Sequence, residues 1–277
     1  MTAVPKLLIL GAHPDDAEYH AGGLAAIYRS LGRPVKLVSV TNGGAGHHRL
    51  ASEELVRTRR AEAKAAGDVI GAEYVTWDFP DGGLQPTLEV RDRIIREIRT
   101  WQPDLVLTHR INDYHPDHRA VGQAVQDASY MVTVPLVVTD TPYLRKDPVV
   151  AYMTDLFTRP CPLEPQITID ITPHVDEVVA MLACHACQVF DFLPYNHNID
   201  PPPTAEPARR NWLRDWFRSR SSFPRCERFR DALIAAYGQE RGSQIEFAEF
   251  YEISEYAASL SDQEKDRLFP QAGQTEV

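Results

Sequence analysis

The stretch LLILGAHPDDAEYHAGG, residues 7–23, runs from apolar residues straight into a histidine, a proline and two adjacent aspartates. Residues 6–10 read as a strand, and 17–31 as a helix with small and apolar residues on one side. Strand, short turn and helix form the opening unit of a parallel α/β sheet. Two carboxylates at the mouth of a buried strand repel each other, and each loses hydration if enclosed. A cation at that place would remove the conflict.

The alternation continues outward from this unit. Strands are expected over 35–40, 73–77 and 104–107, and helices over 52–71 (with Ser52 as cap), 88–101 and from about 118 to 130. This predicts an α/β, Rossmann-like three-layer sandwich with a mostly parallel sheet. Beyond it, 151–157 and 166–171 read as strands and 173–189 as a helix. The Pro- and Asn-rich residues 194–207 read as a loop, 244–260 as helical, and 271–277 as frayed. No repeat or flexible linker divides the chain. The expectation is one domain over 1–277, its core at about 1–190 and a helical, irregular C-terminal embellishment at about 191–277.

Composition narrows the function. The chain has 277 residues, 43% hydrophobic and 25% charged, which is ordinary for a soluble globular protein. A net charge of −10 argues against nucleic acid and anionic membranes as partners. The N-terminal apolar run is too short for a signal peptide, and no run approaches the roughly 18 apolar residues of a membrane span. The expected location is the cytoplasm. Four cysteines do not make a disulfide framework in this length.

In an open parallel sheet, ligands bind beyond the carboxyl ends of the strands where strand order reverses, and the first and fourth strands commonly adjoin there. Here the first ends in AHPDDAE and the fourth in THRINDYHPDHRAVG, about a hundred residues on. His13 and Asp16 from one loop, with His118 from the other, make a two-histidine, one-carboxylate set for one divalent ion. Zinc in catalytic sites takes three protein ligands and keeps a position open. The ligand types do not separate Zn2+ from Fe2+ or another divalent ion.

HPDDAE with a later HPDHR resembles the signature of the LmbE-like, or PIG-L, family of zinc-dependent N-acetyl-sugar deacetylases. The resemblance continues through RTRRAEAKAAGDVIGAE and WDFPDGGL, and returns weakly in CHACQ and FAEFYE. It implies zinc-assisted removal of an acyl group, expected to be acetyl, from an N-acetylglucosamine-type sugar or conjugate. Asp15 would be the general base, and His115, as an imidazolium, would stabilise the oxyanion and help protonate the leaving amine. Asp117 would orient an imidazole and hold it charged. The family would place Arg59 and Asp81 on the sugar. Where many relatives carry an acid after the second strand, this chain has TNGG, leaving Asn42 as the polar contact. His185 of CHACQ is kept as a pocket residue, although Cys187 stands where the family usually has serine.

Other readings carry less. His47 and His48 are expected as exposed loop histidines, with the pocket as the alternative. Cys184 and Cys187 lie inside an expected helix and read as small buried residues rather than a redox pair. Trp212, Leu213, Trp216 and Phe217 recur at helical spacing, which predicts a packed amphipathic face; unburied tryptophans there would point to a homo-oligomer. Residues 90–101, with interleaved charges, read as an exposed helix. Two histidines and a carboxylate also serve non-haem iron oxygenases, but those sites usually sit in β-barrels and give Asp15 no role. An amidase of a sugar–thiol conjugate and a non-catalytic sugar binder are the remaining alternatives. The second has no need of a general base.

Overall fold

Leu7, Leu8, Ile9 and Leu10 have no exposed surface, so β1 (Leu7–Gly11) is buried on both faces. Burial of each such side chain contributes about 2 kcal/mol. The computed structural model describes residues 4–271. β1 pairs in parallel with β2 (Val35–Thr41) on one side and with β4 (Leu105–Thr108) on the other, Leu7 lying opposite both Val35 and Leu105. β3 (Glu73–Phe79) adds outside β2, and β5 (Val149–Met153) outside β4, both parallel. The chain therefore turns away from β1 in both directions, and the reversal lies between β1 and β4 as expected.

Alternate β1 residues feed two cores. Leu7 and Ile9 pack with α1 (Asp16–Ser30) and α5 (Val175–Cys184), and α2 (Ser52–Ile70) adds Ala66 to the same layer. Leu8 and Leu10 pack with α3 (Leu88–Trp101) and α4 (Pro116–Ser129). The small residues of α1 set its distance from the sheet: a Cβ on Gly23 would lie 2.2 Å from Ile171 Cγ2. α2 begins as expected, but its cap position is Ala51, and Ser52 is the first helical residue. α3 is not an exposed helix. It buries Val90, Ile94, Ile95, Ile98 and one charged residue, Arg99, while most of its other charges face outward.

The C-terminal third departs most from expectation. The residues expected as one helix over 173–189 instead end α5 at Cys184 and continue as a π-helical turn, Cys187–Phe192, and a short α6 (Leu193–Asn196). α7 (Ala208–Phe217) buries Leu213 and Phe217 and packs Trp212 and Trp216 against the core, matching the expected amphipathic face. A second π-helical turn, Arg218–Ser222, leads to α8 (Phe223–Arg228) and α9 (Arg230–Tyr237).

Residues 244–260 are not helical throughout. They contain β7 (Ala248–Ile253), inserted antiparallel between β5 and β6 (Ile167–Asp170) and completing the order β3-β2-β1-β4-β5-β7-β6. The core sheet thus draws a strand from beyond residue 191, and the expected division into core and embellishment does not hold. The expected fraying of 271–277 falls outside the described residues, apart from residue 271. Among the described residues no single helix is long and apolar enough to cross a membrane. Thr172–Cys184 and Cys187–Asn196 would be together, but they meet at 80°.

Candidate active site

The loop after β1 carries His13, Asp15 and Asp16, and Asp15 has φ 118°. This left-handed backbone costs a non-glycine residue about 1–3 kcal/mol, and it makes the two neighbouring carboxylates diverge. Asp16 turns inward to the histidines. Asp15 faces a cavity of about 500 Å³ that is also lined by Tyr19, Tyr114, Phe157 and Trp216.

The histidine nitrogens are sorted by their partners. His13 Nε2 lies 3.1 Å from Asp117 and 3.2 Å from Asp81, which leaves Nδ1, 3.3 Å from Asp16 Oδ2, as the nitrogen available to a metal once its proton is displaced. His118 Nδ1 contacts Asp113 at 3.1 Å, and its Nε2 lies 3.3 Å from Asp16 Oδ1. Carboxylates behind both rings thus hold one nitrogen of each toward Asp16, the arrangement that orients histidine ligands for a metal. Burial alone would lower both imidazoles. The surrounding carboxylates outweigh it, pushing His118 up to about 9 and holding His13 well above its usual range. Protons do here what a cation would do, so the donor set fits a divalent ion.

His109, which the sequence reading did not single out, belongs to the same cluster. It follows β4 directly, stacks on His118 with centroids 3.9 Å apart, and brings Nε2 within 3.2 Å of Asp16. Asp16, His109 and His118 together, and His13, His115 and His118 together, converge closely enough to share an ion.

His115 caps α4, and its Nδ1 accepts the Asp117 N–H at 3.2 Å. That leaves the hydrogen on Nε2. Burial first, and then the neighbouring His13 and His118, lower its pKa, which weighs against the expected imidazolium. Asp117 does not orient His115 through its carboxylate. It accepts the Gly82 and Leu84 N–H groups at 2.7 and 3.1 Å and turns its remaining capacity to His13.

Two of the four expected sugar contacts, Arg59 and His185, are buried, and the other two carry internal hydrogen bonds or contacts. Arg59 is buried, reaches Asp15 at 3.1 Å and also donates to the Pro14 carbonyl, so it braces the strained loop. Burial pushes Asp15 up to about 6, against the pull of Arg59. Asn42 Oδ1 is taken by the Gly44 N–H at 2.9 Å. His185 is fully buried and bonds Glu18 at 2.7 Å; Tyr74 links Glu18 to the Asp15 N–H. A side chain without exposed surface cannot touch a substrate. Asp81, the fourth, contacts His13 and accepts the Ala45 N–H at 3.0 Å.

His47 and His48 are not free loop histidines. They stack on each other at 4.9 Å, and His48 stacks on Tyr195 at 3.9 Å. Cys184 and Cys187 are free thiols, and Cys187 Sγ lies 2.9 Å from Glu62.

The class defined by this fold and cluster is an α/β protein with a His/Asp metal-type site at the sheet's reversal point. Residues 8–129 match the family described as PIG-L, GlcNAc-PI de-N-acetylase. The 4-oxalmesaconate hydratase of Pseudomonas putida is 25% identical over 195 residues, 68% of this chain and 75% of the hydratase. The diacetylchitobiose deacetylase of Thermococcus kodakarensis is 32% identical over 125 residues, but the match spans only 43% of this chain and 47% of that enzyme. The structure of N,N′-diacetylchitobiose deacetylase from Pyrococcus horikoshii superposes with a TM-score of 0.70, covering 91% of this chain and 84% of the other at 20% identity. At that identity the likeness establishes the fold.

Proposed function

We propose that the chain is a metal-dependent hydrolase that removes an acyl group, acetyl in the first instance, from an N-acetylglucosamine-type amino sugar or sugar conjugate. The observation that carries this reading is the divergence of Asp15 and Asp16. Both line the cavity, but one carboxylate is spent among the histidines, while its neighbour has Arg59 as its side-chain partner among the described residues. His13 through Nδ1, Asp16, and His118 through Nε2 would hold the ion, Zn2+ or Fe2+. The ion would activate water and polarise the substrate carbonyl. Asp15 takes the proton from the attacking water and returns it to the departing amine. His115, neutral with its hydrogen on Nε2, donates a hydrogen bond to the carbonyl oxygen as charge develops there. It is a donor and not the acid, because releasing that hydrogen would leave an imidazolate. The amide of a sugar–thiol conjugate would break by the same step.

A second reading is hydration of an unsaturated carboxylate, favoured because a hydratase aligns with 68% of the chain. The same base and ion would deliver water to an alkene carbon. Free-amine release from N-acetylglucosamine conjugates and loss of conjugated absorbance from unsaturated dicarboxylates, measured side by side, separate the two. Asp15→Asn should keep its metal and lose at least about a hundredfold in rate. Full turnover by that variant, or loss of its metal, would overturn the assignment of Asp15.

A further inference from the structure

The cavity above Asp15 has a second charged wall. Arg225, on α8, is only 5% exposed and lines the cavity together with His20 and, at its exposed rim, Arg220. Its guanidinium donates to the Tyr19 carbonyl at 3.3 Å and meets His20 Nδ1 at 3.1 Å, and it lies over the Tyr19 ring at 5.0 Å. Each of these partners is neutral, since burial first and then Arg225 itself hold His20 well below its usual range.

Other buried arginines are answered. Arg110 pairs with Asp155 at 2.7 Å, Arg59 reaches Asp15 at 3.1 Å, and Arg99 donates into a cage of backbone carbonyls. The acid that senses Arg225, Glu249, is spent elsewhere. It accepts the Gly23 and Leu24 N–H groups at 2.7 and 2.9 Å and the Tyr251 hydroxyl at 2.6 Å. Among the described residues Arg225 meets one carbonyl and one imidazole and no carboxylate, far fewer acceptors than the carbonyl cage of Arg99, so its fork keeps donors for an anionic ligand.

We infer that Arg225, with Arg220 at the rim, forms a subsite for a carboxylate of the substrate. This rests on the cavity being the substrate site of the proposed function. A planar fork suits the planar carboxylate, which it can bind through two parallel hydrogen bonds. A phosphate dianion fits less well, because Asp15, Asp16, Asp113 and Asp155 line the same cavity. One imidazole, His20, separates the guanidinium from the His109–His118 stack, its ring 5.5 Å from His109 and 6.3 Å from His118. The subsite is therefore within reach of a small substrate that also meets Asp15.

The test is calorimetric binding of tricarballylate, inorganic phosphate and neutral succinamide, to chelated and to metal-loaded protein. Tricarballylate should bind about tenfold or more tighter than succinamide in both states, and Arg225→Gln should remove most of that preference. Arg220→Gln, at an exposed position, should weaken it by about two- to threefold, and it keeps the test valid if Arg225→Gln melts early. N-acetylmuramic acid and N-acetylglucosamine, titrated into Asp15→Asn, form the second arm. Tricarballylate binding that depends on Arg225 while neither sugar binds would uphold the subsite and count against the amino-sugar reading. Equal binding of both sugars, with tricarballylate indifferent to Arg225 and Arg220, would overturn the subsite and leave that reading standing. A preference for phosphate over tricarballylate would overturn the assignment of the ligand as a carboxylate.

Discussion

Asp117→Asn separates two accounts of the site that the sequence alone leaves merged. If Asp117 served His115, its loss would lower turnover and spare the metal. The geometry assigns it to His13, at 3.1 Å, and to the Gly82 and Leu84 N–H groups, with the side chain wholly buried. Asparagine keeps one acceptor oxygen and turns a donor toward a second donor. One buried hydrogen bond to a charged acceptor is lost, about 1.5–3 kcal/mol of stability, or several degrees of melting temperature. The ring of His13 also loses the partner that reserves Nδ1 for the metal. Removing such a partner costs about 10–100-fold in metal affinity. Asp81 still faces Nε2 at 3.2 Å, so the single variant should lie near the lower end and an Asp81→Asn, Asp117→Asn double variant near the upper. Competition against a chromophoric chelator at neutral pH reads the affinity directly. Unchanged affinity in a folded Asp117→Asn protein would refute the assignment of His13 as a ligand through Nδ1.

Further expectations concern packing, the ion and the thiols. A Cβ on Gly122 would lie 2.6 Å from the His109 carbonyl oxygen, a backbone atom that cannot swing away. Gly122→Ala should cost about 1–3 kcal/mol in a denaturant melt and also weaken metal binding, since it pushes α4 off the end of β4; a neutral effect on both would mean that the contact relaxes freely. Divalent ion at a hundred times its Kd should add about 2.7 kcal/mol of stability to the wild type, and nothing comparable to His118→Ala. An equal gain in thermal stability for both would remove His118 from the ligand set. Burial and Glu62 push Cys187 up to about 12, and burial pushes Cys226 up to about 12. At pH 8 the thiolate fraction of each is then about one in ten thousand. Brief iodoacetamide treatment of the native protein should label exposed Cys161 and spare both, whereas rapid labelling of Cys187 would restore the redox reading of the pair.

What was legible in the sequence was what local pattern dictates. β1 announces itself because four consecutive residues are buried on both faces, and the polar residues after it then fall at the carboxyl edge of the sheet. The same rule applied to β4 picks out His109, which follows Thr108 directly, one residue closer than His13 lies to Gly11; the HPDHR motif further on is the more conspicuous signal. β7 was hidden by Glu249, a charged residue in a strand interior whose partners lie on α1, more than two hundred residues away. Read locally, that charge breaks the pattern of a buried strand and makes a helical face the simpler fit. The roles of the expected sugar contacts were hard to read for a related reason. Motif position says that Arg59, Asp81 and His185 lie near the chemistry, and they do. It does not say which way each side chain turns, and that is settled by unpaired groups brought together only in the fold: the strained carboxylate of Asp15, the Nε2 of His13, the buried Glu18. Residues that chemistry needs as supports look, in one dimension, the same as residues that touch substrate. Arg225 shows the converse: nothing in its local sequence, just after the π-helical turn Arg218–Ser222, marks it out until α8 packs its guanidinium against the Tyr19 ring.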